Sequence, residues 1–202
     1  MTLWRGELPL ILASQSRARQ MLLASAGIDF KAVPAEIDER AVQQSSGLAS
    51  PEDIAALLAR EKALAVSSQH SGQFVVGADQ TLALGTRLFS KPAGRTQAAG
   101  QLRMLAGHRH QLHSAVAVAR DGNMLFEAAS SAGMTMRQLS ETEIEAYLNE
   151  AGEAVTSSVG AYQLEGLGIH LFERIEGDHF TILGLPLLQL LAFLRSERLL
   201  AV

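Results

Sequence analysis

Along the chain, short apolar runs alternate with longer stretches that carry one apolar face, a pattern that predicts strands interleaved with helices. Leu8 to Ala13 is the first such run and reads as a buried strand. A helix opens at Ser14 to Ser16 and continues through Gly27, with Ser16 as its N-cap and Met21, Leu22, Leu23 and Ala26 on its apolar face. Phe30 to Pro34 predicts a second strand, leading into an acidic turn at Glu36-Ile37-Asp38-Glu39. Ser50-Pro51-Glu52-Asp53 is a helix start, with serine as cap, proline in the first turn and acids at the positive dipole end. That helix runs to about Gln69, with Ile54, Leu57, Leu58 and Leu64 inward.

The third strand, Phe74 to Asp79, is apolar until it reaches its carboxylate. Lys91-Pro92 ends a short connecting strand, and Thr96 to Leu105 is helical. Gln111 to Arg120 and Ala128 to Arg137 alternate as strands do, with Asp121-Gly122-Asn123 as a turn between them. Ser140 and Glu143 form a capping-box pattern for a helix ending near Gly152. Ser157 to Gly168 is glycine-rich and irregular, Ile169 to Ile175 is a strand, and Leu185 to Glu197 a closing helix. No internal repeat and no long linker interrupts this order. A layered α/β fold follows, as one domain or two closely joined lobes.

Composition narrows the function. Hydrophobic residues make up 48% of the 202 and charged residues 19%, which is globular. A net charge of -4 argues against general nucleic-acid binding, which depends on basic surface, although a local positive pocket on an acidic protein stays open. Without cysteine there is no disulfide, no thiol nucleophile and no cysteine-ligated zinc. Met1 to Ser14 has one basic residue, an acid at Glu7 and too short an apolar run for a signal peptide, and Gly184, Pro186 and Gln189 interrupt the apolar stretch Ile182 to Leu194, so that stretch is not expected to span a bilayer. The expected setting is the cytoplasm.

Three places could carry chemistry, and each has a plainer reading. Ser14, Ser16 and Arg19 sit where a strand turns into a helix: either a capped helix with a solvated arginine, or an anion site made of N–H groups, hydroxyls and a guanidinium. Asp79 after Gly77-Ala78 is either a turn residue or a carboxylate placed to bind metal or activate water. Glu36, Asp38 and Glu39 are solvated turn acids, or carboxylates gathered around a divalent cation. Lys62 and Lys91, each alone, read as surface lysines. His108 and His110 share one face of a strand and His113 takes the other, so they do not converge on a metal. No Gly-x-Ser-x-Gly elbow supports a serine hydrolase.

Their order along the chain adds what each lacks alone. Leu12-Ala-Ser-Gln-Ser16, followed by Arg19 and Leu22-Leu23, resembles the opening motif of the Maf family of nucleotide pyrophosphatases. The resemblance continues through Ile37-Asp-Glu39, Ala59-Arg-Glu-Lys-Ala63, Val76-Gly-Ala-Asp79, Lys91-Pro92 and Gly107-His-Arg-His110. It closes with Gly160-Ala-Tyr162, Glu165-Gly-Leu-Gly168, Ile175-Glu-Gly177 and Gly184-Leu-Pro186. It implies one Maf-like domain over residues 1–202, a mixed twisted sheet with flanking helices in two lobes around a groove, similar to inosine-triphosphate pyrophosphatases. It further implies Asp79 as the proton acceptor for water, with Ser14, Arg19, Lys62 and Lys91 on the triphosphate. Asp38 and Glu39 would join Asp79 around a divalent cation, Mg²⁺ or Mn²⁺. A homodimer acting on a small nucleotide, with no nucleic acid or membrane partner, is the family expectation.

The motif departs from the usual Ser-Pro-Arg-Arg, because Arg17 stands in the proline slot and Ala18 replaces the first arginine. Gln80 and Glu165 resemble the branch that acts on 7-methylguanosine triphosphate, and a carboxylate near a cationic base is chemically apt. That branch carries tryptophan where this chain has Ala18, and a missing stacking plate costs about 1–3 kcal/mol. The implied activity is cleavage of a modified nucleoside triphosphate, such as 7-methylguanosine triphosphate, to monophosphate and pyrophosphate in a house-cleaning role. A thymidine- or uridine-triphosphate pyrophosphatase, a nucleotide-binding regulator of septum formation and a phosphatase releasing orthophosphate are the alternatives.

Overall fold

The structure is a computed structural model that describes residues 3–202; Met1 and Thr2, the start of the segment read as unlike a signal peptide, lie outside the described residues. Its sheet has seven strands in the order β2-β1-β3-β5-β6-β7, with β4 paired to β3. The strands are β1 (Leu10–Leu12), β2 (Phe30–Ala32), β3 (Val75–Leu84), β4 (Arg87–Phe89), β5 (Arg109–Arg120), β6 (Asn123–Met136) and β7 (Phe172–Glu176). The helices are α1 (Arg17–Ser25), α2 (Glu39–Ser46), α3 (Pro51–Ser67), α4 (Arg95–Leu105), α5 (Glu141–Ala151), α6 (His179–Ile182) and α7 (Leu187–Ser196). Among the described residues no helix is long and apolar enough to cross a membrane. The chain forms two compact units, one made of the residues through Gln80 with His113–Ser130 and His179–Val202, the other of Thr81–Leu112 and Ser131–Asp178.

In the first unit β1 pairs in parallel with both β2 and β3, Ile11 lying opposite Lys31 and Val75. One face of this sheet carries Leu10, Leu12, Val76, Ala78, Val116 and Val118, packed on Leu22 and Leu23 of α1 and on Leu187, Leu190 and Leu194 of α7. The other face is a seam of small side chains, Ala115, Ala117 and Ala119 of β5 against Ala55, Ala59 and Ala63 of α3. Small residues let α3 lie close on the sheet. Ser50 caps that helix by accepting from Asp53 N at 3.4 Å, and Pro51 opens it, as the sequence predicts. The β5–β6 hairpin turns on Asp121 and Gly122, both at positive φ (50° and 75°), the conformation a two-residue turn demands.

In the second unit β6 and β7 run antiparallel, with Met134 opposite Ile175. Leu102, Leu105, Ile144, Leu148, Met134 and Met136 are fully buried there. Ser140 and Glu143 make both bonds of the predicted capping box.

Several elements differ from their sequence reading. The third strand does not stop at Asp79 but runs on to Leu84, because Thr81, Leu82 and Ala83 are buried too. Asp79 therefore stands within a strand, not at its end. The acidic turn at 36–39 runs into a helix, α2, capped by Asp38 and begun by Glu39, that the apolar pattern does not announce because none of its residues is buried. Ile169 to Ile175 divides into a 3₁₀ turn, Leu167–Leu171, and β7. β6 begins at Asn123, five residues before the alternation read from Ala128.

Candidate functional site

The first unit gathers most of the sequence candidates. Gly77 on β3 faces α3, where a Cβ would meet Ala59 O at 2.1 Å and Ala63 N at 2.6 Å, so only glycine admits the helix this closely. One turn of helix and two residues of strand then set Lys62 beside Asp79. The ammonium lies 2.6 Å from Asp79 Oδ1 and 2.7 Å from Glu39 Oε1. Lys62 is 9% exposed and Asp79 8% exposed, whereas the Glu39 side chain, on the first residue of α2, is about half exposed. Neither lysine nor aspartate is the surface group its type suggests. Burial pushes the Asp79 carboxyl above the ordinary aspartate range, while Lys62 and Arg19 pull the other way.

Arg19 leaves α1 for the same interior. Its Nε donates to Gly184 O at 2.7 Å, and its Nη1 to Ala78 O at 2.8 Å and Ser14 Oγ at 3.3 Å. Burial lowers its pKa, against the attraction of Asp79 and Glu39. The arginine is thus oriented by carbonyls rather than neutralised by a bidentate carboxylate. Ser14 Oγ also accepts from Ser16 N at 3.2 Å, and Ser16 Oγ caps α1 by accepting from Arg19 N at 3.4 Å. Of the two readings of this junction, the cap is present and the arginine is buried, not solvated.

The remaining candidates divide. Asp38 accepts from Ala41 N at 3.0 Å as the exposed N-cap of α2, a bond that fixes the helix from which Glu39 reaches Lys62. Ala18 is half-buried on α1, and Gln80 half-buried on β3. Lys91 and Glu165 belong to the second unit, both exposed in loops. His110 and His113 are buried in β5, and His110 Nε2 lies 2.8 Å from Tyr162 Oη. The small residues Gly77-Ala78 announce a close approach, which proves to be that of α3, whereas sequence reasoning misses Ala78 and Gly184 as arginine anchors; the glycine before Pro186 is the available signal.

The donors around Lys62 suit a divalent cation. Asp79 Oδ1 and Glu39 Oε1 converge on the Lys62 ammonium itself; as hard oxygen donors they are of the kind that Mg²⁺ or Mn²⁺ takes. Among the described residues no group of three or more histidine, aspartate or glutamate side chains gathers to hold a metal. One or two carboxylates is the usual protein share of a Mg²⁺ site that also binds phosphates.

Comparison with known proteins places these residues in a family context. Residues 9–197 match the family model described as Maf-like protein. A nucleoside triphosphate pyrophosphatase of Bradyrhizobium diazoefficiens is 72% identical over 202 residues, covering 100% of both chains. A 7-methyl-GTP pyrophosphatase of Brucella abortus is 52% identical over 192 residues, 94% of this chain and 96% of that one. Among solved structures, a HAM1 protein from Coxiella burnetii aligns at 18% identity and a TM-score of 0.40, over 64% of this chain and 73% of that one, a likeness too slight to bear on activity.

Proposed function

Since the chain belongs to the Maf-like family, we propose that it is a nucleoside triphosphate pyrophosphatase, cleaving its substrate between the α and β phosphates. Water adds to the α phosphorus, the bond to the bridging oxygen breaks, and monophosphate and pyrophosphate leave. The observation that carries this is the buried Asp79 carboxylate held against Lys62 beside Arg19. The names of the two relatives support the same reaction.

Asp79 takes the proton of the attacking water. Its burial makes it a stronger base than a solvated aspartate, and Lys62 keeps it ionised until the proton is needed. Arg19, with Ser14, grips the phosphate tail, and positive groups fixed beforehand meet the charge that grows on the phosphoryl oxygens. Asp79 and Glu39, with Asp38 at the same helix start, would hold a divalent cation that neutralises phosphate charge there. Free nucleotides place this work in the cytoplasm. We read the preferred base as 7-methylguanine, from Glu165 and from the 7-methyl-GTP relative.

Purified protein with Mg²⁺ or Mn²⁺ and 7-methylguanosine, uridine, thymidine and inosine triphosphates is expected to release pyrophosphate, fastest from the first. Orthophosphate and diphosphate as products would reject the proposed bond. Asp79→Asn should abolish turnover in a folded protein, and Arg19→Ala should lower kcat by roughly 10²–10³-fold. Lys91→Ala and Glu165→Gln test phosphate grip and base preference in the second unit, and sedimentation tests the expected homodimer.

A further inference from the structure

Gln80 follows Asp79 on β3 and so faces the opposite side of the strand. Its Nε2 lies 2.9 Å from Ser114 Oγ, 3.1 Å from Thr181 O and 3.0 Å from Ile182 O. Carbonyl oxygens only accept, so the amide orientation is settled: the nitrogen points into the fold. Ser114, fully buried on β5, donates its own proton to Thr181 O at 2.7 Å, which leaves its oxygen to accept from Gln80. The same Thr181 carbonyl takes the N–H of Gly184 at 3.0 Å. Gly184, at φ 89°, then offers its carbonyl to Arg19 Nε at 2.7 Å. A Cβ on Gly184 would lie 3.3 Å from that guanidinium, so turn and arginine are in contact. Two side chains, one on β3 and one on β5, thus end through three residues of backbone on a single cation.

We propose that Ser114 and Gln80 are positioning residues for Arg19, fixing the Thr181–Gly184 turn whose carbonyl aims the guanidinium, and that the Gln80 amide nitrogen does not read the nucleobase. The proposal rests on Arg19 as a phosphate-binding group. It separates the Gln80 nitrogen from base choice: committed to three acceptors, it has no N–H to donate to a base.

The test uses Ser114→Ala and the near-isosteric Gln80→Met, alone and combined with Arg19→Lys. Misplacing Arg19 should lower kcat by about tenfold to a hundredfold, with KM little changed and equally for 7-methylguanosine and uridine triphosphates. In the Arg19→Lys background neither change should add a further loss, since the residue they aim is gone. Additive losses, or a shift in the ratio of kcat/KM between the two nucleotides, would overturn the proposal. A second measurement needs no activity, so it still decides if the protein hydrolyses no triphosphate. The Arg19 Nε–H resonance, assigned by its loss in Arg19→Lys, should exchange slowly with water in the unaltered protein and faster in both variants. Unchanged exchange would overturn the proposal, and the half-buried Gln80 position serves if Ser114→Ala does not fold.

Discussion

At the scale of single residues, the decisive fact is a lysine and an aspartate, both buried, sharing one hydrogen bond of 2.6 Å. Removing one partner leaves the other as an unpaired buried charge, which costs more than the pair itself contributes. Lys62→Met should therefore destabilise the protein by about 3 kcal/mol at neutral pH, the low end for a broken buried pair because Glu39 and solvent stay near. The sign of its pH dependence follows from Asp79. A carboxyl whose folded pKa is raised favours the folded state below its ordinary range, and that contribution is lost as pH rises through the raised value. Lys62→Met removes the main attraction opposing that rise, so its penalty should shrink as Asp79 takes a proton. Urea unfolding at pH 7.5 and pH 4.5 reads this directly, and an equal penalty at both would reject the assignment. The same shift predicts that kcat/KM falls on acidification at a pH above the ordinary aspartate value of about 4.

At the scale of elements, the β3–α3 contact determines whether the site exists at all. Gly77→Ala should cost about 3 kcal/mol, at the upper end for overpacking, because the new methyl meets helix backbone and not a flexible side-chain end. It should also lower kcat, since α3 carries Lys62. Gly100→Ala in α4 is the contrast: nothing lies within 4 Å of its Cβ, and alanine should stabilise that helix by about 0.5–1 kcal/mol. Opposite shifts in thermal midpoint are expected, and a neutral Gly77→Ala would remove the packing argument. These two glycines also show what the sequence could tell. The start of α3 and the capping box of α5 were legible because local capping chemistry writes them. The 121–122 turn was legible because its backbone needs residues tolerant of positive φ. Helix α2 was not, since a helix with no buried residue leaves no apolar period, although Asp38 as cap and Gly47 at φ 66° mark its ends. The apolar run understates the length of β3, because a carboxylate reads as its end and it takes Lys62 and Arg19, placed by the fold, to make a buried aspartate tolerable.

At the scale of the whole molecule, the family order of motifs conveyed more than any period or cap, since Asp79, Lys62, Arg19 and Glu39 lie far apart in sequence and only the fold brings them together. What no motif conveyed is how the protein responds to acid, and there the second unit carries the strongest signal. His110 is 1% exposed, its Nε2 set against Tyr162 Oη and its ring 5.9 Å from that of Phe172. Burial lowers its pKa from 6.5 to about 4. A group with a depressed folded pKa contributes stability above its unfolded pKa and loses it as pH falls through the folded one. Between pH 6.5 and about 4 the unfolded chain takes up a proton at His110 that the folded chain refuses, a difference worth about 3 kcal/mol. Asp79 acts in the reverse sense, gaining in the folded state as pH falls, so the two partly offset one another. His110→Gln, which cannot titrate, isolates the histidine. Its urea midpoint should fall less steeply than that of the unaltered protein from pH 6.5 to 4.5, and the two curves should run parallel above pH 7.5. Curves that stay parallel across the whole range would mean that acid acts elsewhere in the molecule.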